Sequence, residues 1–159
     1  MTCAFALHDH AGCILRAVAA VEAICADREL RLTAPRRRAL EILLEQHKAL
    51  GAYDVLARMA SEGLGAHPPV AYRALDFLVE HGFAHRIEWL NAFVACPNPS
   101  ARHRPAFMVC RRCRAVAEAE TDPAEAPLDA SASRIGFRIE RTVVEAEGVC
   151  PACSQDERP

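Results

Sequence analysis

The feature that most constrains the fold is a pair of C-x-x-C motifs in the second half of the chain. Cys110 and Cys113 form the first motif, and Cys150 and Cys153 form the second. Two thiolates at this spacing can reach one metal ion, and two such pairs complete tetrahedral sulfur coordination. That arrangement suits Zn²⁺ and leaves no position open to a substrate. A structural zinc site would therefore join the start of a C-terminal domain to its end.

A redox-active dithiol is the alternative explanation of a C-x-x-C motif. It requires one pair ahead of a helix inside a βαβ unit, whereas both pairs here lie at the predicted ends of strands. The chain has eight cysteines, and in a reducing compartment so many thiols favour metal binding over disulfides. The pattern therefore predicts structural zinc.

Charge and hydropathy place few limits on the partner. The 159 residues include 19 basic and 21 acidic side chains, a formal net charge of −2. Any surface that binds nucleic acid must therefore come from local arrangement. The apolar stretch 14–26 carries Arg16 and Glu22, and no run approaches the ~20 apolar residues of a membrane span. We expect a cytoplasmic protein without a membrane partner.

The first half of the chain has the periodicity of helices. Thr33 and Pro35 predict the start of a second helix, and a third is predicted around residues 55–60. Pro68-Pro69 opens a fourth helix over residues 70–81. The apolar face of the first helix is formed by Ile14, Val18, Val21 and Cys25.

A tight hairpin follows these helices. Residues 83–88 alternate as a strand, Asn91 lies at a turn, and residues 92–95 return as the paired strand. Helices followed by a hairpin are typical of a winged helix-turn-helix, although the pattern alone also fits a small α+β domain with no nucleic-acid role. We assign residues 1–95 to a winged-helix DNA-binding domain.

A proline-rich segment separates the two halves. Residues 96–105 contain three prolines and are predicted to form a hinge. Residues 106–159 form the second domain, and the whole chain is therefore predicted to be α+β. The elements expected in the second domain are strands at 107–109 and 115–118, a helix within 122–134 and a long final strand at 137–143.

Several short motifs together resemble one known family. These motifs are Leu32-Thr33-Ala34-Pro35-Arg36, the segment 68–75 (PPVAYRAL), Glu80-His81-Gly82-Phe83 and the two C-x-x-C pairs. In combination they are similar to the ferric uptake regulator family, and most of all to its zinc-sensing members. The resemblance implies a winged-helix domain, a small α/β dimerisation domain and a regulatory metal site at the hinge.

The resemblance also implies which residues bind the regulatory metal. Carried over one by one, the ligands are His85, Cys96, His103 and Glu118. One sulfur, two nitrogens and one oxygen are a reasonable tetrahedral zinc set. Since these ligands come from both domains and the hinge, a bound ion would fix the relative orientation of the domains. Together with the four-cysteine site, this predicts two zinc ions per chain.

Zinc is favoured over iron or manganese as the sensed metal. Iron and manganese sensors of the family tend to carry a histidine-rich run before the first C-x-x-C pair, whereas His103 stands alone here. A thiolate at Cys96 also shifts the preference of the site toward softer metals.

The fourth predicted helix would lie in the major groove of DNA. The resemblance implies that Tyr72 approaches the bases and Arg73 the phosphates. Arg36, at the start of the second helix, is a further candidate phosphate contact. The chain departs from the family pattern in two places, since Val70-Ala71 replaces a Thr-Val pair and Arg114 replaces a glycine.

These observations predict a zinc-responsive transcriptional repressor of zinc-uptake genes. It would bind a palindromic operator in double-stranded DNA as a homodimer, and it would not be an enzyme. An iron, manganese or peroxide sensor of the same family is one alternative. A metal-dependent hydrolase with Glu118 as general base is another, and it is weak because the four donors leave no open position for water. In a protein-interaction module held by structural zinc alone, the four regulatory ligands would not converge in space.

Overall fold

A computed structural model describes residues 10–64, 67–99, 105–120, 127–140 and 142–155. Most of the predicted hinge, including His103, lies outside the described residues. Among the helices of the described part, none is long and apolar enough to cross a membrane.

Within the described residues, the N-terminal half begins with four helices and a very short strand, which precede the wing. The second helix begins directly after Thr33 and carries Pro35 in its first turn, although the Thr33 side chain makes no capping hydrogen bond. The elements are α1 (His10–Asp27), α2 (Ala34–Leu44), β1 (Leu50–Gly51), α3 (Ala52–Ser61) and α4 (Pro68–Glu80).

The core of this half lies where α1, α2, α3 and α4 pack together. The predicted apolar face of α1 is confirmed, because Val18, Val21 and Cys25 are all buried and Ile14 packs against the same cluster. On α4 the buried face is centred on Ala71, Ala74, Leu75, Phe77 and Leu78. The opposite face of α4 is thereby left to solvent.

The wing is an antiparallel hairpin of β2 (Ala84–Ile87) and β3 (Ala92–Ala95). Asn91 lies in the turn with φ 46°, a left-handed conformation that asparagine tolerates better than most residues. Strand β1 pairs with β3 and completes a three-stranded sheet in the order β1-β3-β2. The sequence did not predict β1, because two residues are too few to show periodicity.

In its described segments, the C-terminal half contains a three-stranded sheet and two short helices. The sheet has the order β5-β4-β6, with β4 antiparallel to β5 and parallel to β6. The elements are β4 (Pro105–Cys110), β5 (Val116–Glu120), α5 (Pro127–Arg134), β6 (Val144–Gly148) and α6 (Pro151–Gln155).

The predicted final strand at 137–143 is wrong. Residues 137–140 and 142–143 have no regular structure, and the strand runs over Val144–Gly148 instead. The prediction took the alternating apolar residues to face a core within this chain, but Phe137 is 64% exposed. Strand position was decided by pairing with β4, to which β6 contributes five consecutive residues.

The two halves pack directly against each other. Apolar residues of the wing sheet, of the segment just before β1 and of the C-terminal sheet share one buried cluster: Ala49, Ile87, Ala92, Val94, Phe107, Val109 and Val116. Backbone hydrogen bonds reinforce it, since Ala49 N–H donates to the Arg114 carbonyl and Val116 N–H donates to the His47 carbonyl. Arg114 has φ 60°, which is the conformation that a glycine would favour there. This departure from the family pattern therefore lies in the cysteine turn and also contacts the N-terminal half through the Arg114 carbonyl.

Candidate metal centres and DNA-facing surface

The four cysteines of the C-x-x-C motifs converge in space. Their sulfur atoms all lie within 4.8 Å of one another, and the Sγ atoms of Cys113 and Cys150 are 3.6 Å apart. In a tetrahedral zinc site with Zn–S bonds of about 2.3 Å, neighbouring sulfurs are separated by about 3.8 Å. Cys110 ends β4 and Cys150 follows β6, so the parallel pairing of these strands brings the two motifs together.

Without a cation, the surroundings of the four sulfur atoms stabilise one of them as a thiolate and keep a second one protonated. Hydrogen bonds from backbone N–H groups, above all that of Cys113, lower the pKa of Cys110 to about 6. Hydrogen bonds with the Cys150 and Cys113 side chains raise the pKa of Cys153 to about 12. A divalent cation removes this conflict, because it allows neighbouring thiols to be deprotonated together. The donor set and geometry therefore fit zinc.

Three of the four residues assigned to the regulatory site also converge. His85 lies on β2 of the wing, Cys96 directly follows β3, and Glu118 lies on β5 of the C-terminal sheet. Their donor atoms lie within 4.8 Å of one another, and His85 Nε2 is 3.4 Å from Glu118 Oε2. His103 lies outside the described residues.

The distance between His85 Nε2 and Glu118 Oε2 is compatible with an ion pair and also with two ligands of one metal ion. With Zn–N and Zn–O bonds of about 2.0 to 2.2 Å, the nitrogen and oxygen of a tetrahedral site are separated by about 3.4 Å. Burial, together with the nearby Glu118 carboxylate, raises the pKa of Cys96 to about 12. The thiol is therefore neutral without a cation, and zinc binding would release its proton. The His85 ring also packs 5.2 Å from the Phe107 ring, which fixes its position against the C-terminal sheet.

The DNA-facing candidates on α4 are exposed. Tyr72 is 40% exposed and Arg73 is also exposed, on the face of α4 opposite the core. Tyr53 on α3 is a further candidate that the sequence did not single out, since it is 71% exposed and its ring meets the Tyr72 ring edge-on at 6.4 Å. A large aromatic residue at the start of a helix could have drawn attention to Tyr53. Only the packing of α3 beside α4 places its ring next to that of Tyr72.

Arg36 is held in place by its neighbours in the fold. Its guanidinium lies 3.8 Å above the Phe77 ring and donates a hydrogen bond to the Arg31 carbonyl. The next two arginines of α2 are engaged by carboxylates, since Arg37 pairs with Glu22 and Glu41 and Arg38 pairs with Glu41, Glu45 and Glu62. Among the described ion pairs, Arg36 has no acidic partner. Its side chain is oriented instead by the Phe77 ring and the Arg31 carbonyl.

Comparison with known proteins shows which family shares this organisation. The ferric uptake regulator family matches residues 27–147. The chain is 39% identical over 143 residues to the zinc uptake regulation protein of Escherichia coli (strain K12), covering 88% of this chain and 82% of that protein.

Solved structures give the same result and add the arrangement of the two halves. A zinc uptake regulator complexed with zinc and DNA matches with a TM-score of 0.85 and 38% identity, over 91% of this chain and 97% of that chain. XcZur matches in its holo form with a TM-score of 0.78 and 39% identity, over 87% and 96% of the two chains. Its apo form gives only 0.50 at 40% identity, over 89% and 97%. The arrangement described here thus resembles the holo form, and the chain belongs to the ferric uptake regulator family.

Proposed function

We propose that this chain is a zinc-responsive transcriptional repressor that acts in the cytoplasm as a homodimer on operator DNA, with zinc-uptake genes as its targets. It regulates transcription and is not an enzyme. Residues 1–95 are the DNA-binding domain, residues 96–105 the hinge and residues 106–159 the dimerisation domain. Each chain binds two zinc ions, one structural and one regulatory.

The convergence of His85, Cys96 and Glu118 carries this proposal. Two of these residues belong to the wing and its exit, and the third belongs to the C-terminal sheet. When the donors come from two halves of a protein, a metal ion binds best to the arrangement that brings them together. Metal binding therefore shifts the population toward that relative orientation of the halves. The same convergence argues against a protein-interaction module held by structural zinc alone, in which these residues would lie apart.

The residues of the chain divide the work of the response. When bound, zinc supplies one positive centre to which donors from both halves attach. His85 holds the wing, Cys96 holds the point where the wing leaves for the hinge, and Glu118 holds both to the C-terminal sheet. His103, from the hinge, supplies the fourth donor. The four-cysteine site keeps β4 and β6 together, so Glu118 sits on a rigid support.

The donor set favours zinc over the metals of the same-family alternatives. A buried thiol among the ligands suits zinc better than iron or manganese. The high similarity to zinc uptake regulators, in sequence and in fold, supports the same choice.

A second copy of the chain is the proposed cover for an apolar surface of the C-terminal half. Large hydrophobic side chains are exposed there in a number that a small monomeric domain would rarely leave to solvent. They are Met108, Leu128, Ile135, Phe137, Val143 and Val144. A symmetric dimer formed through this surface would present two α4 helices to two half-sites of a palindrome.

Zinc counting under chelation, combined with DNA binding, tests the proposed function. We expect two zinc ions per chain, of which a mild chelator removes one and leaves the other. DNA binding is expected to disappear with the labile ion and to return when free zinc is raised in a metal buffer. Iron or manganese at matched free concentration is the control. One tightly held zinc, with DNA binding indifferent to added metal, would refute the proposal.

Substitutions on α4 are expected to separate affinity from sequence preference. Arg73→Ala removes a phosphate contact, so it should weaken binding to operator and random DNA alike and lower the salt dependence by about one unit of slope. Tyr72→Ala should instead reduce discrimination between operator and random DNA. Arg138→Ala is the matched control, since Arg138 is an exposed arginine of the C-terminal half. Anisotropy titrations at several salt concentrations measure both quantities, and equal losses for both variants on both DNAs would contradict this division.

A further inference from the structure

A carboxylate of the C-terminal sheet accepts hydrogen bonds from the tip of the wing. Glu145 lies on β6, and both oxygens of its side chain accept hydrogen bonds from backbone N–H groups of the wing turn. The distance is 2.6 Å from Glu88 N to Glu145 Oε1 and 3.2 Å from Trp89 N to Glu145 Oε2. Two successive backbone amides thus bind one carboxylate, and these charge-assisted bonds are stronger than bonds between neutral groups.

The position of Glu145 connects this contact to the donor set of the regulatory site. Parallel pairing places Glu145 in register with Phe107 on β4, and Phe107 packs against the ring of His85. His85 lies near the start of β2, and Glu88 directly follows the end of that strand. The wing is therefore attached to the C-terminal sheet at its base through His85 and at its tip through Glu145.

We propose that Glu145 is a positioning residue that favours the DNA-binding arrangement of the two halves independently of metal. The contact uses a side chain and backbone amides only, so it requires no zinc ligand and adds to the shared apolar cluster. Zinc then completes a shift of an equilibrium that Glu145 has already biased. Because both act on the same equilibrium, loss of the Glu145 contact lowers the apparent affinity for regulatory zinc. The consequence for DNA binding rests on the proposed function, whereas the contact itself does not.

Glu145→Gln tests the coupling with little change in size. The glutamine can accept a hydrogen bond from only one of the two amides, and its NH₂ group faces the other. We expect the free zinc concentration at half-maximal DNA binding to rise about tenfold, the factor expected for loss of one charge-assisted hydrogen bond. DNA affinity at saturating zinc should stay within about twofold, because filled donor sites restore the arrangement. Glu140→Gln is the control, since Glu140 is an exposed carboxylate outside the sheet.

A second measurement tests the contact without using DNA. Trp89 is the single tryptophan of the chain, so its fluorescence reports on the wing turn alone. In Glu145→Gln, acrylamide is expected to quench this fluorescence more strongly than in the wild type or in Glu140→Gln. If the variant does not fold, hydrogen exchange in the wild type replaces it, and slow exchange of the Glu88 and Trp89 amides is then expected.

The outcomes separate this proposal from the proposed function. Greater quenching with a raised zinc midpoint supports both the contact and its coupling. Unchanged quenching, or fast exchange of the two amides in the wild type, overturns the contact. Greater quenching with an unchanged midpoint overturns the coupling. If wild-type DNA binding does not depend on zinc at all, the proposed function fails, while the quenching result still decides whether Glu145 holds the wing.

Discussion

Cys113→Ser is expected to unfold the C-terminal half and to abolish dimerisation. The described core of this half is small, and the two cysteine motifs lie at the end of β4 and shortly after β6. Structural zinc contributes roughly 10 to 16 kcal/mol in zinc-finger peptides, which is comparable to the whole stability of an ordinary domain at about 5 to 15 kcal/mol. A variant with three sulfur ligands would lose most of that contribution.

Three measurements check this expectation. Zinc content by mass spectrometry should fall by one ion per chain, size-exclusion chromatography should report a monomer or aggregate, and thermal unfolding should lose cooperativity. Cys13→Ser is the control, because Cys13 is a thiol of α1 that belongs to neither metal cluster. A Cys113→Ser protein that remained a stable dimer with full zinc content would show that the four cysteines do not form a structural site.

Cys96→Ser is expected to leave a folded dimer that no longer responds to ordinary zinc concentrations. Serine keeps the size of the side chain but is a poor zinc ligand at neutral pH, so the regulatory site should weaken by orders of magnitude. The four-cysteine site lies elsewhere and keeps its metal. Without the tie at the wing exit, the two α4 helices of a dimer sample many separations, and only a fraction of them matches major grooves one helical turn, ~34 Å, apart. Apparent DNA affinity falls by that fraction.

The control for Cys96→Ser is Cys25→Ser. Both thiols are only 3% exposed, so both substitutions place a hydroxyl in a buried position at a cost of about 1 to 3 kcal/mol. Cys25→Ser is therefore expected to be less stable but to keep its zinc dependence. DNA binding across buffered free zinc distinguishes the two, and excess zinc is expected to rescue Cys96→Ser in part through the remaining ligands. Wild-type zinc dependence in Cys96→Ser would mean that Cys96 is a core thiol.

The features that sequence analysis predicted well are those that depend on neighbours along the chain. The apolar face of α1 follows from a 3.6-residue repeat, the start of α2 from Thr33 and Pro35, and the wing from alternation around Asn91. The spacing within each C-x-x-C motif is equally local. Such patterns reflect backbone geometry and burial within one element, so they can be recognised without knowing what the element packs against.

Features that depend on contacts distant in sequence were decided by the tertiary structure. The alternation at 137–143 identified apolar residues correctly, but it could not tell a core within the chain from a surface left for a partner. Strand β1 exists only because β3 lies beside it, and Tyr53 stands beside Tyr72 only because α3 packs on α4. Glu145 binds the wing turn although Trp89 lies 56 residues before it in the sequence. The convergence of His85, Cys96 and Glu118 is of the same kind: their residue types and places resembled a metal site, but only the packing of the wing on the C-terminal sheet brings the donors within bonding range of one ion.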